Sequence, residues 1–282
     1  MRRVASLLAA LVLVAALAGA CRDAPATRPA AAGRPALATT TPAAAARFPV
    51  ELPRGRPLRV TLYGDSIAWE VREPFQAMLS RAGVQISLRT FPASAICDWL
   101  PAMRADAARR AVDAVVLVFT GAWFTPCVTD PATSRPLAGT ALVDKYLADL
   151  RTAVAVNSRA GVDVFLGLEP LPHRPMRSDP SALRAGFERV AATAPGVTLI
   201  RANLAVEGPG GRYLRTMPCA PFEPCDGRDP AGRPAAVVRG PDGIHFCPVV
   251  HAGWDCPVWS SGAMRYAAAL AGGVLDAYAP RP

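Results

Sequence analysis

Residues 112–119 read Val-Asp-Ala-Val-Val-Leu-Val-Phe, an apolar run broken only by Asp113. So short and apolar a run has no solvent face, which marks a strand buried on both sides in the middle of a parallel sheet. The segments around it alternate strand and helix. Residues 58–63 are β-rich and stop at Gly64; Trp69, Phe75, Met78 and Leu79 then recur at helical spacing up to Arg81, before Gly83. Further strands are predicted over 84–90, 162–168 and 197–201. Helices are predicted over 99–111, 142–156, 183–194 and 260–278, and the Gly-, Pro- and Arg-rich stretch 207–240 reads as a long loop ordered by a disulfide. Strands alternating with helices predict one α/β domain, its parallel sheet of about five strands covered on both faces. Such sheets hold their ligands at the carboxyl ends of the strands.

The start of the chain points to export. Arg2 and Arg3 precede an uncharged apolar stretch from Val4 to Ala20, and the small residues Ala18-Gly19-Ala20 stand just before Cys21. This is the pattern of a secretory leader over residues 1–20. Leu17-Ala18-Gly19-Ala20-Cys21 also resembles a lipobox, whose Cys is acylated and tethers the mature protein to the membrane, although Ala18 stands where Leu is usual. Free secretion after Ala20 is the alternative. Residues 21–55 are rich in Ala, Pro, Thr and Arg without apolar periodicity, the composition of a disordered linker. The domain then occupies 56–282.

Charge adds little to this. The formal net charge is +9, but the leader holds two Arg and the linker a net +3, which leaves +4 for the domain. Lys145 is the only lysine, and the arginines are scattered from Arg2 to Arg281. A nucleic-acid surface would gather them on one face, so no nucleic-acid partner is expected, and an Arg-rich, Lys-poor composition reflects a GC-rich genome.

Two short motifs fall where strand ends should lie. Tyr63-Gly64-Asp65-Ser66 closes the first strand, and a Ser in such a turn can be presented at the sheet edge beside the positive end of a helix. The competing reading makes Asp65 or Ser66 a helix N-cap. Near the other end, Pro241-Asp242-Gly243-Ile244-His245 sets Asp and His three apart around a Gly turn. A carboxylate there can hold the imidazole in one tautomer while its other nitrogen accepts a proton from Ser66.

In combination, the blocks "YGDSIAWE", "FPASAICDW", "FTGAWFTPC" and "PDGIHFCP" resemble the SGNH (GDSL) hydrolase family, above all its exported actinobacterial branch. The resemblance spans roughly 58–278. It implies a flavodoxin-like three-layer fold and metal-free, cofactor-free hydrolysis or transfer of an ester-linked acyl group. It further implies Ser66 as nucleophile, His245 as base and Asp242 as the orienting acid. Small acyl esters or acylated glycans would be the substrates of a monomer. Two positions depart from the family pattern. Ala93 replaces the Gly whose backbone N–H enters the oxyanion hole, a mild change if the dihedral angles suit Ala. Ala122 replaces an Asn whose amide is a further donor, and a methyl group donates nothing. Ser66 and Ala93 backbone N–H groups would carry the oxyanion, so a slow hydrolase is expected, with a non-catalytic binding protein as the alternative.

Of seven cysteines, six remain after Cys21, and six admit many pairings. The expected set is Cys97–Cys127, Cys219–Cys225 and Cys247–Cys256, the first joining the loops that carry Ala93 and Ala122. A zinc site from His245, His251, Cys247 and Cys256 is the rival, without a standard zinc spacing. Asp65, Trp69, Trp99 and Trp123 are candidates for a substrate pocket, packing being the plainer role for the tryptophans. Glu169 is read as an Arg-paired surface carboxylate, with a place facing the cleft as the alternative, and His173 as an exposed loop residue, with a substrate role as the alternative.

Overall fold

The computed structural model describes residues 56–225, 227–249, 255–256 and 258–279. The leader, Cys21, the linker and His251 lie outside the described residues. Among those described, no helix is long and apolar enough to cross a membrane.

Five parallel strands form the centre: β1 (Arg59–Gly64), β2 (Gln85–Thr90), β3 (Ala114–Val118), β4 (Asp163–Gly167) and β5 (Val197–Ile200). They lie in the order β2-β1-β3-β4-β5. Five helices cover them: α1 (Ser66–Arg81), α2 (Ile96–Ala108), α3 (Gly139–Arg159), α4 (Pro180–Thr193) and α5 (Ser261–Tyr278). Because neighbouring side chains on a strand point to opposite faces, the central strands serve two cores. Val60, Leu62, Val116 and Val118 pack with Phe75 of α1 and Leu270 of α5. Tyr63, Val115, Leu117 and Leu166 pack with Met103 of α2, Leu150 of α3 and Phe187 of α4. This is the three-layer α/β/α architecture that the sequence implies, and all five residues of β3 are buried.

Two local features shape the carboxyl edge of the sheet. Gly64 closes β1 against β3 so tightly that an added Cβ would stand 2.2 Å from the Val118 carbonyl oxygen and 2.3 Å from the Ala68 Cβ. Only glycine fits there, and α1 starts two residues later. Stretch 207–240 is more than a loop. It contains β6 (Glu207–Gly208) paired with β7 (Arg212–Tyr213), and a small sheet of β8 (Thr216–Met217), β9 (Gly227–Arg228) and β10 (Pro234–Val237). Elements this short show no periodicity, so sequence pattern misses them. The disulfides present are Cys97–Cys127, Cys219–Cys225 and Cys247–Cys256.

Candidate active site

Ser66 is the first residue of α1, half-buried at the edge of β1. The capping reading of the preceding residue also holds, because the Asp65 Oδ1 accepts from the Ile67 N–H at 3.1 Å. Its Oδ2 accepts from both the N–H (2.6 Å) and the hydroxyl (2.8 Å) of Thr120, just past β3. Asp65 is fully buried, so its expected place in a substrate pocket is corrected: it ties the nucleophile turn to the end of β3. Burial pushes its carboxyl above the usual range against these hydrogen bonds.

His245 comes to this turn from 179 residues away. Its Nε2 lies 2.8 Å from Ser66 Oγ, and its Nδ1 lies 2.5 Å from Asp242 Oδ2. An ionised carboxylate only accepts hydrogen bonds, so Nδ1 carries the proton and Nε2 is left to accept from the Ser66 hydroxyl. Asp242 also shapes the turn, its Oδ1 accepting from the N–H groups of Ile244 (2.9 Å) and His245 (3.0 Å). Gly243, at φ 73°, makes this turn possible. Burial disfavours the Asp242 charge, but the hydrogen bonds from the His245 ring and the two amides outweigh it and hold the carboxyl well below its usual range. His245 shifts the other way. Burial lowers it, and the Asp242 hydrogen bond with the charges of Glu70, Asp242 and Asp65 raises it above its ordinary value.

Two residues that sequence reasoning did not single out support this loop. Arg239, almost wholly buried, donates to the carbonyls of Leu171 and Gly243 at 3.3 Å. Glu70, one helical turn beyond Ser66, accepts from the Phe246 N–H at 2.6 Å. The exposed His173 has its N–H on the Gly243 carbonyl at 2.9 Å and its ring stacked on Tyr213.

The expected oxyanion side is built differently. The Ser94 N–H bonds back to the Phe91 carbonyl at 3.2 Å, closing a turn with Pro92 second and Ala93 third, and Ala93 sits at φ 66°. Positive φ at the third position is the mark of a type II turn, where glycine is preferred. The dihedral angle therefore does not suit Ala, and strain of about 1 kcal/mol is stored there. The N–H groups of Ser66 and Ala93 donate to no acceptor among the described residues. Ala122 is buried, and its carbonyl accepts from the Tyr146 hydroxyl at 2.7 Å; its side chain offers no donor.

Ala93 also lines a largely apolar pocket of about 430 Å³, with Phe91, Trp99 and Phe124 among its walls. Cys97–Cys127 staples together the two chain segments that form it. Trp123 stacks on Phe124 at 4.6 Å. Trp69 does not pack against the sheet: its indole N–H bonds Asp255 at 3.0 Å, beside the Cys247–Cys256 bond, under the Arg72 guanidinium.

A further expectation fails. Glu169 is not a surface carboxylate paired with Arg: it is 2% exposed, and neither of its carboxyl oxygens has a hydrogen-bond partner. Burial raises it to about 8. It lies two residues past β4, on a chain segment that stays buried through Pro170. Cys247 and Cys256 are bonded to each other, which removes them from the zinc alternative; among the described residues no cluster of His, Cys, Asp and Glu is placed to hold a metal.

No family model and no curated protein matches the chain. Solved structures do. The lipase/acylhydrolase from Enterococcus faecalis aligns over 80% of this chain and 99% of its own, at 16% identity and a TM-score of 0.50. The chain shares the fold of that acylhydrolase. A GDSL-like lipase from Bacteroides thetaiotaomicron (13% identity, 78% and 88% covered, TM-score 0.47) is also similar. So is the catalytic domain of a peptidoglycan O-acetyltransferase from Streptococcus pneumoniae (16% identity, 79% and 96% covered, TM-score 0.47).

Proposed function

We propose that the protein is an exported serine esterase or acyl hydrolase of the SGNH type. The observation that carries this reading is the continuous relay from Ser66 Oγ to His245 Nε2 and from Nδ1 to Asp242, at 2.8 and 2.5 Å. In the proposed reaction Ser66 Oγ attacks the ester carbonyl carbon as its proton passes to His245 Nε2. Asp242 stabilises the resulting imidazolium, and the backbone N–H groups of Ser66 and Ala93 face the oxyanion. The imidazolium then protonates the leaving alcohol, leaving an acyl-Ser66. Water, deprotonated by the same nitrogen, releases the acid. The apolar pocket beside Ala93 suits an acyl chain or the face of an acylated sugar.

Ala122 supports a lower rate than a complete oxyanion hole would allow, since deleting one such donor typically costs ~10²–10³ in turnover. A binding protein that turns over slowly or not at all is therefore the second reading. Transfer to a glycan hydroxyl uses the same residues and replaces water as acceptor. The leader supports export, with Cys21 as the site of lipid anchoring or Ala20 as the site of free release, and we read 56–282 as a monomeric domain on a linker. Fluorophosphonate labelling lost in Ser66→Ala, together with hydrolysis of short p-nitrophenyl esters, is the expected result. An unlabelled wild-type protein without hydrolysis would overturn the esterase reading.

A further inference from the structure

Four consecutive backbone N–H groups of the loop bearing His245 are held by only two carboxylates. Asp242, inside the loop, takes those of Ile244 and His245. Glu70 takes the next two, Phe246 at 2.6 Å on Oε2 and Cys247 at 3.4 Å on Oε1. Glu70 belongs to α1, four residues after Ser66, so the two side chains rise from the same helix face. One turn of one helix thus supplies both the hydroxyl that meets the His245 ring and the clamp on the backbone just beyond it. Hydrogen bonds from amides to an ionised carboxylate are stronger than neutral ones. Phe246 is fully buried against Tyr266, so the clamped backbone has little room to shift.

We propose that Glu70 is a positioning residue: it locks the His245 loop to the nucleophile helix and adds a second carboxylate to the surroundings of the imidazole. The role rests on the serine-esterase reading above. When the Ser66 proton moves to Nε2, the positive charge appears on a ring that Asp242 binds directly and that the Glu70 carboxylate also favours electrostatically. The charged or titratable groups acting on His245 are Asp242, Glu70 and Asp65, while Arg239 acts on the Asp242 and Glu70 carboxylates. Burial pushes Glu70 up, and the His245 charge and the two amides oppose that rise.

The test compares wild type with Glu70→Gln and Glu70→Ala in two readouts. The His245 imidazole titration is followed by NMR, which is tractable with three histidines in the chain. Kinetics on a short p-nitrophenyl ester give kcat and KM. Gln keeps an acceptor for Phe246 and removes the charge, so the His245 midpoint and the acidic limb of kcat/KM move together to lower pH. Ala removes the clamp as well, and kcat falls by about 10²-fold, the scale of a small misplacement of a reacting group, with KM nearly unchanged; Gln recovers part of that loss. An unmoved His245 midpoint in Gln overturns the proposal, even if its melting temperature falls. A wild-type kcat in Ala overturns it too, and should Ala not fold, the Gln midpoint alone decides. If no form hydrolyses ester, the esterase reading fails, while the NMR midpoints still decide the role of Glu70.

Discussion

The two sides of the site around Ser66 are made to different standards. On the base side, the His245 ring and four successive amides of its loop are all bound, by Asp242, Glu70 and Ser66. On the proposed oxyanion side, Ala93 occupies a left-handed conformation that favours glycine, and Ala122 brings no side-chain donor. The base side depends on side chains whose chemistry cannot be replaced. The proposed oxyanion side would depend on backbone N–H groups, which survive substitution of the side chain so long as the turn holds. The difference teaches that a geometrically complete proton relay can stand beside a turn that is strained and offers only backbone donors.

The largest effect expected tests the intact side. Ser66→Ala and His245→Ala each lower kcat by ~10⁴-fold or more, as loss of one member of a relay does in serine hydrolases; p-nitrophenyl ester kinetics check this, and residual turnover near wild type would break the comparison at its stronger half. The weaker half is sharpened by Ala122→Asn, which is expected to raise kcat by ~10²-fold, roughly 3 kcal/mol of transition-state stabilisation. A fast wild type unaffected by that substitution would mean the oxyanion side is complete as it stands.

Glu169 tests the core rather than either half. Its folded pKa of about 8 lies above the ordinary 4.5, so the folded state holds the proton more tightly than the unfolded chain. Stability from this group is therefore present at low pH and is lost as pH rises from 4.5 towards 8. Between pH 4.5 and 7 the loss is about 3 kcal/mol. Urea unfolding across this range should show wild type losing ground to Glu169→Gln, and parallel curves would contradict it. Smallest is Ala93→Gly: relief of the positive-φ strain, partly offset by the larger unfolded-state entropy of glycine, is expected to stabilise by less than about 1 kcal/mol, measured by urea unfolding.

Much of the site could be read before the fold was known, and the misses have physical reasons. Ser66, Asp242 and His245 stand in short local motifs, and the structure brings them within hydrogen-bond distance. Glu70 lies in the same block as Ser66, and its i+4 spacing was the signal available; nothing local says that a loop 176 residues away supplies its partners. Glu169 was misread because a carboxylate after a strand normally turns to solvent. Here the chain stays buried past the end of β4 and takes Glu169 with it. Asp65 looked like a cap and is one, but its second oxygen reaches Thr120, a contact created only by β1 and β3 being neighbours.

By itself, the amino-acid order determined the alternation of buried strands and helices, because burial on two faces demands apolar runs of strand length. It also determined the turn at Gly64, where no side chain fits, and the Asp242–His245 pair, which is local. Tertiary structure alone decided which groups meet: His245 with Ser66, Glu70 with the His245 loop, and Ala93 at a positive φ beside an apolar pocket. Those contacts depend on distances between chain segments far apart in sequence, and packing sets such distances.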